Sequence, residues 1–458
     1  MKFRPVCIED KSIIESFTYA AAIDNCDLAF ANMFCWAWSY RSAWCVEDGY
    51  LMIRFHIDGG TQIGYMLPLG GDDFMRMIPA LEADARAVGQ PLRLTGLAWK
   101  HVAALRQAMP EFAIRHNRDF DDYLYRADDL RHLPGRHYQP KRNHINRFVT
   151  TYPYRYVELT PELFADCMSL ERQWRQVHTA ENPVELTAEQ HAMRRAFDHF
   201  SELQMRGGAL FVEQQLVAFT YGSAIDATTF CIHVEKADTR YEGAYTLINK
   251  LFAEQLPAQY TLINREEDLG LAGLRKSKLS YHPVSLHPKC TAMRLTAEQQ
   301  QVRALWLDSF DDTIDNVEQF LLTHYDTTRM HAVWRENRLL AMLHVVPFGE
   351  VAYIYAVATA KEWRNRGYAT HLLYEAMDAC RDAGFSAMAL IPDDDALRRW
   401  YARIGFVGAI PVTFSSHDGY DFGTGDSTRD CAMMLPLVPT YRIPEVLTLQ
   451  QHEDRLIP

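Results

Sequence analysis

Two spacings of apolar residues take turns in the C-terminal third of this chain. Val351 to Val357 is a run of β-branched, aromatic and small apolar residues with no polar break, which predicts a strand buried on both faces. From Tyr368 the apolar positions Leu372, Leu373, Ala376, Met377 and Cys380 recur at helical spacing, and Gly384 stands where a glycine would end that helix. Upstream, MHAVWRENRLLAMLHVVPF predicts a hairpin turning at Arg335-Glu336-Asn337-Arg338. Downstream, Phe385 to Ile391 predicts another strand and Pro392 ends it. Asp393 to Asp395 then offer caps for a helix carrying Leu397, Trp400, Tyr401 and Ile404.

The same order of elements returns between residues 209 and 285. ALFVEQQLVAFTYGSAI predicts a hairpin, and FCIHVEKADTRYEGAYTLINKLFAEQL a strand, turn and helix. YTLINREEDLGLAGLRKSKLSYHP then predicts a strand, a polar turn and a second helix, so the fold is duplicated. Nearer the N-terminus, FANMFCWAWSYRSAWCV gathers aromatics suited to a core or lobe interface, and WCVEDGYLMIRF predicts a hairpin turning at Glu47-Asp48-Gly49. Polar stretches at Arg126 to Pro140 and Pro288 to Thr296 mark boundaries. The expectation is a mixed α/β chain of three units, 1–135, 136–292 and 293–437, with 438–458 as a tail or strap.

Between the first strand and helix lies the basic turn Arg364-Asn365-Arg366-Gly367-Tyr368-Ala369-Thr370. The N–H groups of a helix's first turn have no intrahelical partner and carry the positive end of its dipole. Gly367 and Ala369 keep side chains clear of those amides, while Arg364, Arg366 and the Thr370 hydroxyl add donors. Each hydrogen bond to a charged oxygen is worth roughly 1.5–3 kcal/mol, so three or four hold a diphosphate. Arg364, Gly367 and Ala369 fit the coenzyme A loop of the GNAT N-acetyltransferases, and Tyr401 to Gly405-Phe406 resembles the ending of those domains. A second fit, Gln204, Gly207 and Ala209, precedes a strand rather than a helix and is read as accidental.

The resemblance implies tandem GNAT-like acyl-CoA N-acyltransferase folds with acetyl-CoA as co-substrate. It further implies that Val357 offers backbone groups to the pantetheine arm, that residues 364–370 surround the diphosphate, and that Tyr401 protonates the departing thiolate. Read from the residues alone, Tyr401 is either that acid or a core aromatic. The strand carries no carboxylate, so the base is Glu350, Tyr355 or a water-relayed path. The acceptor is a primary amine, on a small molecule or a peptide, that the sequence does not identify.

In the duplicated segment Arg240 and Gly243 remain, but Tyr245 stands where Gly or Ala is wanted, which argues against ordinary coenzyme A binding. PKRNHINRF (140–148), YEGAYTLINK (241–250) and NREEDLGLAGLRKSKLSYHP (264–283) resemble the family of the phosphatidylglycerol lysyltransferase C-terminal domain, over residues 1–292. That resemblance implies two GNAT-like lobes and aminoacyl-tRNA as donor. The lipid acceptor of membrane-bound relatives is in doubt, because no run reaches the roughly 20 apolar residues of a membrane span.

Asn264, Arg265, Glu266, Glu267 and Asp268, with Arg275, Lys276 and Lys278, form a second candidate site at a strand exit. Glu266 or Glu267 would hold an ammonium while Arg275 and Lys278 hold a phosphate; the alternative is a solvated turn with ion pairs. Lys141-Arg142-Asn143-His144 is either an anion contact or the charged start of a helix. A third reading makes the N-terminal module a non-catalytic scaffold.

Bulk properties narrow this little further. The 458 residues are 48% apolar, enough for well-filled cores, and a net charge of −12 argues against general nucleic-acid or anionic-membrane binding. Nine scattered cysteines suggest neither disulfides nor zinc, and His282, His287 and Cys290 lack metal-site spacing. No metal is expected, and the expected compartment is the cytoplasm.

Overall fold

The computed structural model describes residues 1–178, 183–415, 420–423 and 430–450. The chain divides into two compact units, one of residues 1–109 and 116–293, the other of 110–115 and 294 onward. Mixed sheets run through both. No helix among the described residues is long and apolar enough to cross a membrane.

The second unit is built on a seven-stranded sheet in the order Met330–Arg335, Arg338–Phe348, Val351–Thr359, Ala387–Leu390, Cys431–Pro436, Val407–Ser415, Leu447–Gln450. Its first hairpin turns at Glu336 (φ 49°) and Asn337 (φ 63°), two left-handed residues whose twist suits a tight antiparallel connection. Strand Val351–Thr359 is antiparallel to Arg338–Phe348 and parallel to Ala387–Leu390. A parallel pair needs a crossover, and helix Tyr368–Asp382 supplies it. Its Leu372, Leu373, Ala376, Met377 and Cys380 are buried against Val345, Ile354 and Met388, as the helical spacing requires. Asp394 caps helix Asp395–Ile404 by accepting the Leu397 N–H at 2.7 Å.

In the first unit, a seven-stranded sheet runs Ser285–His287, Asp122–Arg126, Leu262–Asn264, Thr229–Ala237, Gln215–Ala224, Arg206–Val212, Tyr154–Glu158. Thr229–Ala237 repeats the pattern of the second unit: it is antiparallel to Gln215–Ala224, parallel to Leu262–Asn264, and followed by the crossover helix Ala244–Gln255. Another sheet of this unit places Arg4–Pro5, Ala43–Glu47, Tyr50–Ile57, Gln62–Met66, Arg93–Leu97 and Cys290–Arg294 in that order. Gly207 and Ala209 lie inside strand Arg206–Val212, where no helix follows.

Two features depart from the apolar pattern. Leu447–Gln450, within the expected tail, pairs in parallel with Val412 to Ser415 and completes the second unit's sheet, burying Leu447 and Leu449 on one face. Residues 110–115 join the second unit because buried Glu318 accepts the Ile114 N–H at 2.9 Å, while Arg303 donates to the carbonyls of Phe112 and Pro110 and pairs with Glu318 at 2.6 Å.

Candidate functional site

The parallel pairing of Val351–Thr359 with Ala387–Leu390 stops early. Its register partners are Val351 with Ala387, Ala352 with Met388 and Tyr353 with Ala389; from Ile354 onward the two strands diverge. A bulge on the other side adds to the divergence. His344 faces Tyr355 and Met342 faces Ala358, so Val351–Thr359 carries one extra residue here, and Ala356 adopts φ 53°. Among the described residues, 354–359 therefore have no ladder partner on the side of Ala387–Leu390.

Beyond that strand the chain turns through Asn365 (φ 61°) and Gly367 (φ 85°) into helix Tyr368–Asp382. Gly367 is the residue before the helix and offers no side-chain cap to the first-turn amides. A Cβ added at Gly367 would meet nothing within 4 Å, so the glycine answers to its left-handed backbone and the corner stands open. Arg364 braces the turn by donating from Nε to the Thr359 carbonyl at 3.0 Å. The Arg366 guanidinium lies 4.5 Å from the centre of the Trp363 ring and faces solvent. Asn365 is exposed, and Tyr368, Ala369 and Thr370 are half-buried.

Val357, Tyr368 and Tyr401 pack on one apolar cluster with Leu343, Ile354, Leu390 and Phe406. Tyr401 is buried, its hydroxyl makes no hydrogen bond among the described residues, and burial pushes its phenol well up, so it holds a proton at neutral pH. The opposite face of the strand carries Tyr355, whose hydroxyl lies 3.0 Å from that of Tyr420. Burial, then Tyr420, raises Tyr355 far above the ordinary phenol range, which disqualifies it as a base at neutral pH. Glu350 sits at the far hairpin turn, about 23 Å down the strand from Val357 at 3.3 Å per residue, and is out of reach.

A residue the sequence reading missed faces this second side. His344 is 4% exposed and lines a small pocket with Trp306, Phe320, Tyr325 and Ala356. Its Nε2 accepts the Asp326 N–H at 3.1 Å, and its Nδ1 has no partner. Burial lowers its pKa to about 3, so the ring is neutral. A lone histidine in the apolar run RLLAMLHVVPF is the only signal for it that the sequence carries.

In the first unit Thr229–Ala237 also separates early from its parallel neighbour, after Thr229 with Leu262, Phe230 with Ile263 and Cys231 with Asn264. The surroundings here are polar. Asn264 is fully buried, donating to Asp122 at 2.9 Å and to the Asp24 carbonyl at 2.8 Å. Arg265 pairs with Glu235 at 3.0 Å and lies 4.7 Å from the Tyr281 ring centre. Lys141 sits 3.6 Å over the same ring; burial, then Arg265, lowers its pKa to about 8. Lys278 donates to the carbonyls of Arg265 and Glu267, and Arg275 is held by Asp268 and Asp119. Arg142 caps its own neighbourhood, donating to the Leu133 carbonyl and Gln139. Asn264, Arg265, Glu266, Lys278 and Lys141 thus gather around this strand exit, whereas Arg275 and Arg142 are engaged by other internal partners.

Glu266 lies 2.9 Å from His233 Nδ1 and accepts from Asn32 at 2.9 Å. Beside it, Lys289 is nearly buried among Asp122 at 2.7 Å, Glu267 at 3.2 Å and Asp27 at 3.3 Å, with Cys26 Sγ at 3.1 Å. Lysine's ammonium supplies the cation that this carboxylate cluster needs. Among the described residues, Cys231-His233-Glu266 and Cys26-Asp122-Glu267 each bring three metal-type donor atoms within 4.8 Å of one another. These groups draw on segments far apart in the chain, so no local spacing announced them.

Residues 20–293 match the family model of the phosphatidylglycerol lysyltransferase C-terminal region, and residues 296–406 match that of the acetyltransferase (GNAT) family. A crystal structure of a conserved protein of unknown function from Bacteroides thetaiotaomicron is similar at 39% identity and TM-score 0.62, covering 64% of this chain and 99% of its own. L-PGS from Bacillus licheniformis is similar at 15% identity and TM-score 0.44, covering 62% and 92%. An uncharacterised protein of Mycoplasmoides gallisepticum is 25% identical over 165 residues, 35% of this chain; the chain spans about half of that curated relative's length, 52%.

Proposed function

Since the chain belongs to the phosphatidylglycerol lysyltransferase C-terminal family and is an acyltransferase with a GNAT region at 296–406, we propose that its second unit transfers an acetyl group from acetyl-CoA to a primary amine. The observation carrying this reading is the unobstructed helix start at Gly367, which follows the strand whose parallel pairing ends at Tyr353. The diphosphate rests on the amides of Gly367 to Thr370, with Arg366 and Asn365 at its edge. The pantetheine arm follows Val357, so the thioester lies beside that strand. A neutral amine attacks the thioester carbonyl, and Tyr401 gives its proton to the departing thiolate. With neither Tyr355 nor Glu350 suited to it, the amine's proton leaves through water.

Acetyl-CoA at about 100 times its Kd stabilises the protein by about 2.7 kcal/mol, read as a rise in Tm. Gly367→Glu puts a carboxylate in the cradle and removes that rise. An unchanged melting curve for the natural chain would sink the assignment.

A second reading rests on the family of the first unit: aminoacyl-tRNA serves there as acyl donor. Charged tRNA should then bind in filter assays more tightly than uncharged tRNA and lose affinity steeply with salt. Equal retention of both leaves this unit a non-catalytic scaffold. Nine cysteines without a disulfide support the cytoplasm as the compartment.

A further inference from the structure

The first unit contains a three-residue relay that neither reading uses. Ser223 Oγ lies 2.8 Å from His233 Nε2, and His233 Nδ1 lies 2.9 Å from Glu266 Oε1. The order and spacing are those of a nucleophile, a base and the carboxylate that orients it. We propose that Ser223 is an acyl-accepting nucleophile, activated by His233 and Glu266, that reacts with small carboxylic esters. The inference is independent of acetyl transfer by the second unit and stands or falls apart from it.

Two features of the backbone, held by the Asn264 and Asn32 side chains, assemble the relay. Along strands Gln215–Ala224 and Thr229–Ala237, Tyr221 faces Val234 but Gly222 faces Ile232, so His233 is the extra residue of a bulge. Bulges re-aim side chains, and this one turns an imidazole toward Ser223 on the adjacent strand. Glu266 holds φ 55°, a left-handed conformation that a non-glycine residue keeps only where its surroundings enforce it. The enforcement is visible: the Glu266 N–H donates to Asn264 Oδ1 at 2.6 Å, and Asn264 is itself anchored by Asp122 and the Asp24 carbonyl. Asn32 fixes the carboxylate from the other side at 2.9 Å.

The chemistry of the neighbours narrows the role. Both ring nitrogens of His233 face protein groups, which leaves no lone pair for a metal ion. With the ring proton on Nδ1 and donated to Glu266, Nε2 is free to accept from Ser223. Cys231, 3.6 Å from Glu266, is pushed up by burial and by that carboxylate and remains a thiol, so the serine is the nucleophile. Ser223 is 4% exposed and the His233 side chain 6%, with the Glu266 side chain at 25% the most open of the three, so the relay takes only a small acyl group.

In the step itself, Ser223 Oγ bonds to the ester carbonyl carbon as its proton passes to His233 Nε2. The bond from that carbon to the leaving alcohol breaks, the alcohol takes the proton, and an acyl-serine ester remains. Attack by water or an amine releases the acyl group and restores the serine.

The test treats the full chain with a fluorophosphonate and maps the adduct by peptide mass spectrometry. One adduct on the Ser223 peptide is expected, absent from Ser223→Ala and slowed about 100-fold in Glu266→Gln, with hydrolysis of p-nitrophenyl acetate following the same order. No adduct on Ser223 in the folded natural chain overturns the proposal. So does an adduct whose rate is unchanged by Glu266→Gln, and the natural chain's own labelling decides even if Ser223→Ala fails to fold.

Discussion

Gly243 and Gly367 occupy the same place in two copies of one fold, each a left-handed residue leading from a splayed strand into a crossover helix, at φ 96° and 85°. A Cβ on Gly367 would touch nothing; a Cβ on Gly243 would lie 2.5 Å from the His144 carbonyl and 3.2 Å from Phe148 Cβ. Helix Gln139–Thr151 therefore fills in the first unit the corner that is open in the second. The strand exits differ in the same sense, with Val357 and Tyr401 at one and His233, Arg265 and Glu266 at the other. The turn that cradles an anion and the turn that packs a helix share their backbone, and what sits against the glycine decides between them.

Substituting each glycine by alanine breaks the pair most sharply. Gly243→Ala must both strain its backbone and displace a helix carbonyl, and should cost about 3 kcal/mol or more in urea unfolding. Gly367→Ala meets only the left-handed penalty, about 1–2 kcal/mol. Equal losses would mean that the two corners are packed alike.

The histidines give the next contrast. His344 has its folded pKa lowered from 6.5 to about 3, so its contribution is present above pH 6.5 and lost as pH falls toward 3. Over that window the second unit should lose on the order of 4–5 kcal/mol, and His344→Phe should flatten the acid limb of a pH–stability profile.

Tyr401→Phe should lower kcat for acetyl transfer about 10- to 100-fold with KM unchanged, and should leave stability nearly intact because the hydroxyl has no partner to lose. A variant with full kcat would return Tyr401 to the core. Smallest of all, Arg366→Ala should weaken acetyl-CoA binding by about 0.5–1 kcal/mol at low salt and less at high salt, since its guanidinium is exposed.

Local rules made much of the second unit legible. Helix periodicity marks Leu372 to Cys380, Asp394 caps its helix, and the Glu336-Asn337 turn closes its hairpin. Each of those depends on residues within one or two turns of each other. What was illegible depends on distance along the chain. The partnership of Pro110 to Arg115 with Arg303 and Glu318 spans about 200 positions, and strand Leu447–Gln450 is too short for its alternation to stand out. The charged string from Asn264 to Lys278 read either as ligand contacts or as an ion-paired turn, and only folding supplies the internal partners of Arg275 and Lys278. His344 and Ser223 are isolated polar letters in largely apolar strands, which periodicity treats as noise.

Strand Leu447–Gln450 also becomes the outer edge of the second unit's sheet. It covers the ladder groups of Val412 to Ser415, which would otherwise be an unpaired rim available to a neighbouring molecule. A chain trimmed before Leu447 would lose the four parallel pairs with Val412 to Ser415 and the burial of Leu447 and Leu449, so the second unit should melt at a lower temperature.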